Sequence, residues 1–386
     1  DWMKKAANLV KSANPPAGID GDTNQMVFTA PHWQLVYLAA LTGDTEGANT
    51  LISRSMSEDG GIWGRFFYSR GKAAYLEAVG RLEEAAEQFE IARQLIKSLD
   101  RTNPRYYRLI SHLGWIRMKQ GRLVEAEALL IKALEGASSK VSQLPIRNSY
   151  STVLYEQGRY EEAADMAKLN IYLGNDVCIP ENSGYRAEAR KNLGRAMMAL
   201  GQWKEAARQF VTIERELRSN PALYKARFEG APDHALSLIQ SGSSEHAIDM
   251  MERRATRLEK LLGPKHYDTV ETRAFLAMAN AAVGNREAAL KLFAQSVPLM
   301  LQRSRQSETH SEGTQSITFK RRTVLESYIS LLADISGSSL EANAGIDAAS
   351  EAFKLADAAR SSTVERMLAK SSARSAVLDP QLSGLA

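Results

Sequence analysis

One short phrase returns along the chain at a nearly constant interval. A glycine is followed five residues later by an alanine, as in "GRLEEAAEQF" from Gly80 and "GQWKEAARQF" from Gly201. The glycines are Gly43, Gly80, Gly121, Gly158, Gly201, Gly242 and Gly284, with intervals of 37, 41, 37, 43, 41 and 42 residues. Self-similarity at a period of roughly 20 to 50 residues indicates a solenoid or a similar array. The repeat therefore predicts that most of the chain consists of stacked copies of one small unit.

The residue types in each copy predict a helical hairpin. Glycine adopts the left-handed backbone conformation that ends a first helix, and the alanine lets a second helix approach closely. The alanines are Ala48, Ala85, Ala126, Ala163, Ala206, Ala247 and Ala289, and larger apolar residues follow four positions later at Phe89, Leu130, Phe210, Met251 and Phe293. Prolines 20 to 24 residues beyond a glycine mark the start of the next hairpin: Pro104, Pro145, Pro180, Pro221 and Pro264.

This pattern resembles the tetratricopeptide repeat (TPR), through Leu113-Gly114 and Leu193-Gly194 in first helices, the turn glycines, and the alanine and aromatic of second helices. The resemblance implies an all-α fold, a right-handed superhelical α-solenoid of about seven TPR-like helical hairpins plus a C-terminal helix pair. The period exceeds the usual ~34 residues, as in kinesin-light-chain-like arrays. Within a segment that is similar to those arrays, Asp268 and Glu271 have the spacing of a capping box.

Composition along the chain predicts five segments. They are an N-terminal extension and loop over 1–30, the array over 31–301, a polar loop over 302–317, terminal helices over 318–375 and a tail over 376–386. Residues 351–374 resemble the linker between bacterial TPR arrays and a CHAT domain, a caspase-like cysteine protease. That resemblance implies a regulatory region whose protease, with its His/Cys dyad, would follow beyond Ala386. The alternative is a standalone TPR adaptor or chaperone-like scaffold.

The sequence offers little catalytic chemistry. It contains no GxxxxGK[ST], no GxGxxG after a strand and no HExxH. Cys178 is the only cysteine and has no histidine near it in sequence, and no two histidines are spaced i, i+4. Paired carboxylates such as Glu83-Glu84 recur at the starts of second helices, where the helix dipole favours them. We therefore predict no catalytic residue, metal or cofactor, against the alternative of an enzyme acting through Cys178 or these carboxylates.

Charge and hydropathy limit the classes of partner. The 49 basic and 45 acidic residues give a net charge of only +4, which does not indicate a nucleic-acid-binding protein. No apolar run approaches the ~20 residues that span a bilayer, so no membrane insertion is expected. The sequence favours a monomer and leaves two compartments open: cytoplasmic, or periplasmic if a signal peptide preceded Asp1.

The TPR resemblance also implies where a partner binds, because first helices line the concave surface in that family. Its phase gives a groove of basic, amide and aromatic residues: Arg70, Arg108, Ser111, Trp115, Lys119, Asn148, Thr152, Tyr155, Lys191, Asn192 and Arg195. Acidic residues are sparse among these positions, and arginine and aromatic residues are typical interface anchors. We expect a protein or peptide partner with acidic groups. Lys320-Arg321-Arg322 is expected to be a solvated helix start outside the groove.

Overall fold

The described part of the chain is helical throughout. The computed structural model describes residues 45–54, 61–99, 104–221, 223–224, 228–307 and 315–360, and every regular element in these ranges is a helix. The helices are α1 (Thr45–Arg54), α2 (Gly61–Ala78), α3 (Leu82–Leu99), α4 (Pro104–Lys119), α5 (Leu123–Gly136), α6 (Lys140–Glu156), α7 (Tyr160–Asp176), α8 (Gly184–Ala199), α9 (Trp203–Glu216), α10 (Pro232–Gln240), α11 (Ser244–Leu262), α12 (Tyr267–Ala282), α13 (Arg286–Ser307), α14 (Gln315–Ile335) and α15 (Ser339–Ala344). A short 3-10 turn spans Leu217–Ser219, and residues 348–360 are also helical. None of the described helices is both long and apolar enough to cross a membrane.

Two units divide the chain between Ile146 and Arg147, and each is described by itself. Several predicted segments cannot be compared with the structure. The 1–30 extension, the first helix of the copy around Gly43, and residues 361–386 with the predicted tail lie outside the described residues. So does most of the segment that resembles the CHAT linker, of which only residues 351–360 are described, as helix.

The turn glycines end first helices as the sequence predicts. Gly201 has φ +74°, and its amide donates to the carbonyl of Met198 at 3.0 Å. The next amide, of Gln202, donates to Met197 at 2.8 Å, which completes the usual left-handed helix stop. The same positive φ occurs at Gly80, Gly121, Gly158, Gly242 and Gly284. The hairpin prediction is therefore confirmed at these six positions.

Small residues set the distance between the helices of a hairpin. The repeated alanines from Ala48 to Ala289 all have 0% exposure, and the apolar residues four positions later are buried. The first helices contribute glycine at the same contact. A Cβ atom on Gly194 would lie 2.8 Å from the Phe210 ring, and one on Gly114 would lie 3.0 Å from Cγ of Leu130. These approaches leave no room for a larger side chain, which explains the Leu-Gly pairs.

Helix starts differ from the prediction at two places. Pro145 lies inside α6 rather than at its start. The helix begins earlier because Ser139 caps it, accepting a hydrogen bond from the Ser142 amide at 3.1 Å. At α12, the side chain of His266 caps the first turn by accepting from the Asp268 amide at 3.3 Å. The capping box predicted from Asp268 and Glu271 is therefore wrong.

The polar loop predicted over 302–317 is narrower at both ends. Helix α13 continues to Ser307 and α14 begins at Gln315, so only residues 308–314 separate them, and these lie outside the described residues. The sequence from 302 to 307, QRSRQS, is polar but rich in glutamine and arginine. Both residues are good helix formers. Polarity alone therefore misplaced the boundary.

Candidate functional site

The predicted groove residues fall into two groups by burial. Six are partly exposed: Arg70, Arg108, Trp115, Lys119, Lys191 and Arg195. Five are buried, with exposures of 4 to 7%: Ser111, Asn148, Thr152, Tyr155 and Asn192. For the buried five, the prediction that they face a partner is corrected, because they pack between helices. The reason is that neighbouring first helices lie close together, so that side chains at the sides of each helix are covered by the next helix.

Asn148 is the centre of a buried amide network in the second unit. Its carbonyl oxygen accepts from Asn192 Nδ2 at 2.9 Å, and its side-chain oxygen accepts from Asn170 Nδ2 at 2.7 Å. Its own Nδ2 donates to the carbonyl of Tyr185 at 3.1 Å, and Thr152 Oγ1 donates to the Asn148 carbonyl at 3.1 Å. Buried amides that are satisfied in this way fix the register of neighbouring hairpins. They are not available to a partner's carboxylate.

In the first unit, a single carboxylate holds Trp115 and Lys119. Trp115 Nε1 donates to Glu77 Oε1 at 2.9 Å, and Lys119 Nζ donates to the same oxygen at 2.8 Å. The Lys119 ammonium also lies 5.7 Å from the centre of the Trp115 ring. Glu77 is on α2, one hairpin before α4, which carries the other two. The indole is therefore held in one orientation with part of its surface exposed.

Arg70 and Arg108 lie near a partly buried histidine of the same unit, His112. Burial holds the pKa of His112 well below its ordinary value, and the charges of Arg70 and Arg108 lower it further. The imidazole stacks on Phe89 at a centroid distance of 5.2 Å. His112 is therefore a neutral core residue, and the two arginines raise the local positive potential on the first helices α2 and α4.

Five residues on first helices of the second unit form what we call the charged cluster: Glu156, Arg195, Asp233, Glu271 and Lys320. Arg195 lies between two carboxylates, with Nη2 3.6 Å from Glu156 and Nε 3.7 Å from Asp233. Its guanidinium carbon is 4.7 Å from the centre of the Tyr155 ring, so a buried aromatic fixes its orientation. Carboxylates on α6, α10 and α12 thus lie next to the two cations, Arg195 on α8 and Lys320 on α14.

Lys320 belongs to this cluster, contrary to the prediction of a solvated helix start. Its ammonium lies 3.2 Å from Glu271 Oε1, and the two side chains are only 15% and 7% exposed. Because α14 begins at Gln315, Lys320 is in its second turn and faces α12. Arg322 is exposed and pairs with Glu326 on its own helix at 2.7 Å, as expected of a surface residue.

The cluster keeps its positive groups charged despite their burial. Burial works against the charge on Lys320, but the attraction of Glu271 and then Asp233 outweighs it and raises the pKa of Lys320. The balance is the same for Arg195, whose pKa is raised mainly by Asp233 against the effect of burial. Asp233 therefore stabilises both cations. The acidic residues that the groove prediction called sparse are present, on neighbouring helices.

The ion pairs of Arg195 leave hydrogen-bonding capacity unused. Separations of 3.6 and 3.7 Å exceed the ~2.7 to 2.9 Å of a charge-assisted hydrogen bond. Arg195 Nε has no hydrogen-bond acceptor among the described residues. Lys191, one turn earlier, is occupied by Glu188 of its own helix at 2.5 Å.

Other chemistry-bearing residues occupy structural positions. His234 stacks on Phe210 at 5.5 Å, and burial lowers its pKa to about 4. Cys178 is exposed, with φ +53°, at the turn that ends α7. Within the described ranges no group of three or more His, Cys, Asp or Glu side chains is placed to hold a metal ion.

Comparisons with known proteins support the repeat architecture. No family model and no curated protein matches the chain. Among solved structures, the Rap conjugation gene regulator of plasmid pLS20 in complex with the Phr* peptide has 12% identity and a TM-score of 0.51, covering 94% of this chain and 95% of its own. A putative kinesin light chain with TPR-like repeats from Podosopora anserina has 21% identity and a TM-score of 0.42, covering 52% of this chain and 98% of its own.

A tetratricopeptide repeat protein from Parabacteroides merdae has 19% identity and a TM-score of 0.40, covering 75% of this chain and 98% of its own. The fold is a TPR-like helical array. The residues that sequence reasoning missed in the array are Glu77, Glu156, Asp233 and Glu271. The sequence places each of these acidic residues on a first helix, which was the available indication. Their partners are 35 or more residues away in sequence, so the pairing itself could not be recognised.

Proposed function

We propose that the array is a protein-interaction scaffold that binds an extended partner segment through an acidic group, at Arg195 on the first helices of the second unit. The observation that carries this proposal is the unused hydrogen-bonding capacity of Arg195. Its guanidinium is oriented by Tyr155 and kept charged by Asp233, yet its internal ion pairs are longer than hydrogen bonds.

The carboxylate of Asp233 competes with a partner's carboxylate for Arg195. A partner carboxylate would form short bidentate bonds with the planar guanidinium and take over part of the role of Asp233. Asp233 also interacts favourably with the Lys320 ammonium. Its charge therefore stays compensated when Arg195 binds the partner's carboxylate. The internal and the incoming carboxylate compete for one arginine. Removing the charge of Asp233 should therefore strengthen binding of an acidic segment, although it destabilises the fold.

Trp115 is a candidate anchor of its own, on the first unit. Tryptophan and arginine dominate the binding energy of protein interfaces when they are held in place. The hydrogen bond to Glu77 holds the Trp115 indole in one orientation, with the ring part-exposed. The peptide complex recorded for the Rap regulator is a precedent for a peptide partner on this kind of fold.

We further propose that the scaffold regulates a CHAT-type protease carried on the same polypeptide, because residues 351–374 resemble the linker before such a domain. A standalone TPR adaptor is the second candidate. The parent open reading frame discriminates between them. A downstream domain with a His/Cys dyad supports the protease, and a stop codon near Ala386 supports the adaptor.

Binding measurements on single variants test the scaffold proposal. The partner would be captured with the wild-type chain as bait and its affinity measured by biolayer interferometry. Arg195→Ala and Trp115→Ala should each weaken binding by about tenfold or more, since interface anchors contribute ~2 kcal/mol. Asp233→Asn should strengthen it by a few-fold. The matched control is Arg208→Ala, an exposed arginine that pairs with Glu205 on the second helix α9.

Two further variants separate binding from stability. Asn192→Ala removes a buried amide from the network around Asn148 and should lower the melting temperature. Arg322→Glu reverses a charge outside the cluster and should leave affinity unchanged. If Arg195→Ala and Trp115→Ala both bind normally with unchanged circular dichroism, the partner does not use these first-helix faces, and the proposal is wrong.

A further inference from the structure

A cavity in the second unit lies apart from the charged cluster. It encloses about 360 Å³ between α9, the segment before α10, and α11. Its lining residues are Glu214, Tyr224, Glu229, His246, Met250, Arg253, Arg254 and Arg257. None of the charged-cluster residues lines it, and α9 and α11 are second helices. The cavity is therefore a separate site from the proposed partner surface.

Three arginines of α11 line one wall of this cavity. Arg254 is fixed by two hydrogen bonds, from Nε to Thr272 Oγ1 at 3.1 Å and from Nη1 to the Glu229 carbonyl at 3.3 Å. Arg257 is fixed by the Glu229 carboxylate, and its Nη2 donates to the same carbonyl at 3.4 Å. Arg253 is exposed and makes no hydrogen bond or ion pair with another described residue. Two guanidinium groups are thus preorganised, and the third is available.

The cavity has more donors than acceptors. Glu229 is occupied by Arg257, which leaves Glu214 as the other carboxylate on the wall. Burial raises the pKa of Tyr224 to about 12, so its hydroxyl remains protonated at neutral pH and can donate. Burial also lowers the pKa of Arg254, with a smaller opposing effect from Asp268 and a further lowering from Arg257. Three arginines line the cavity against two carboxylates, Glu214 and Glu229.

We propose that this cavity binds a phosphate monoester dianion. Such a group carries about −1.5 to −2 charges at neutral pH and three strong acceptor oxygens. Guanidinium groups bind it through parallel hydrogen bonds. A carboxylate ligand would bring only one negative charge and two acceptor oxygens. Arg257 already has a carboxylate of this kind as its partner, in Glu229. The volume is at the lower end of the roughly 300 to 1,000 Å³ of small-molecule sites, which leaves room for a phosphate and a short organic group.

The phosphate monoester could belong to a small metabolite or to a phosphoserine side chain of a partner. Isothermal titration of the full chain would use O-phospho-L-serine, a five-residue phosphoserine peptide with blocked termini, inorganic phosphate and sulfate. Tighter binding of the peptide than of the amino acid identifies a protein source. Equal binding, or tighter binding of the amino acid, identifies a small molecule. Either outcome supports a phosphate monoester site.

Three variants test the assignment to this cavity. Arg253→Ala should weaken phosphoserine binding by about tenfold or more, and it should fold normally because the side chain is exposed and contacts no described acceptor. Glu214→Gln removes the opposing carboxylate and should strengthen binding by a few-fold. Arg322→Ala, an exposed arginine paired with Glu326 on α14, is the matched control and should not change it.

The proposal is overturned by any of three results. The first is no binding heat, and no shift in melting temperature, with phosphoserine or its peptide at tens of millimolar. The second is equal affinity for sulfate and for the phosphate monoesters, which would show a general anion effect. The third is unchanged affinity in both Arg253→Ala and Glu214→Gln. None of these outcomes bears on Arg195, so the scaffold proposal is tested independently.

Discussion

The close approach of Gly194 to Phe210 can be tested by adding a single methyl group. In Gly194→Ala the new Cβ would lie 2.8 Å from Cε2 and 3.0 Å from Cζ of the ring. Carbon atoms pack best at about 3.5 to 4.0 Å, so the ring or the helix must move. Phe210 is 4% exposed and stacks on His234, which leaves it little freedom.

The expected magnitude is a balance of two effects. Overpacking a core costs typically ~1 to 3 kcal/mol, whereas replacing a helical glycine with alanine gains up to ~1 kcal/mol. We expect Gly194→Ala to destabilise the second unit by about 1 to 2 kcal/mol. The matched control is Gly174→Ala on α7, where the nearest atom is Arg186 Cγ at an ordinary 3.7 Å. That variant should be neutral or up to ~1 kcal/mol more stable.

Urea unfolding followed by circular dichroism at 222 nm measures the difference. With a slope of about 2 kcal/mol/M, a 2 kcal/mol gap between the two variants separates their midpoints by ~1 M. The double variant Gly194→Ala/Phe210→Leu should be more stable than the sum of the two single effects predicts. We expect this coupling free energy to be at least ~1 kcal/mol. If Gly194→Ala is as stable as Gly174→Ala, or if the double-mutant cycle shows no coupling, the two helices do not approach as closely as described.

Two further perturbations follow from backbone strain and from a buried imidazole. Cys178 has φ +53° at the position after α7 that glycine usually occupies. Cys178→Gly should therefore raise the free energy of unfolding by about 0.5 to 1 kcal/mol, while Cys178→Ala should leave it unchanged. A destabilised glycine variant would contradict the left-handed conformation at this position. The pKa of His234 is lowered from 6.5 to about 4, so the unfolded state binds more protons between these values and stability present above pH 6.5 is lost as pH falls toward 4. At about 1.4 kcal/mol per pKa unit, the loss in the free energy of unfolding is at most ~3 kcal/mol. Denaturant titrations at pH 7 and 4.5 should show a smaller change in the free energy of unfolding for His234→Phe than for wild type. Equal pH dependence would show that His234 is not the titrating group.

The sequence predicts the fold through the residues that define the hairpin. Gly80 and Gly284 adopt positive φ, and Ala85 and Ala289 are fully buried, as their spacing requires. Local chemistry determines these features, because a left-handed turn and a close helix contact each admit few residue types. Helix ends were less predictable. Pro145 lies inside α6 because a serine pair caps the helix five residues earlier, and such caps compete with proline as start signals.

The candidate site could be predicted only in part, because partners on other helices determine what each residue does. Trp115 and Arg195 were correctly placed on first helices, but the sequence did not show that Glu77 and Asp233 bind them. Lys320 was assigned to the surface from its basic neighbours, yet its nearest carboxylate is 49 residues away in sequence at Glu271. Helical phase identifies which residues share a face. It does not identify which side chain on the next hairpin reaches across.

The charged cluster is difficult to explain as a source of stability. Taking charges out of water costs several kcal/mol per ion, and well-packed apolar residues of similar volume are often as stable or more stable. Arg195 is the clearest case, because its two carboxylates lie beyond hydrogen-bond distance and one buried nitrogen has no acceptor among the described residues. A group held in that state costs stability. Removing only one member of such a cluster is costly, so Arg195→Met, which leaves Glu156 and Asp233 without their cation, should lower the free energy of unfolding by about 3 to 5 kcal/mol. Partner binding by the folded fraction should fall sharply. Loss of folding without loss of affinity in the folded fraction would instead assign the cluster a structural role.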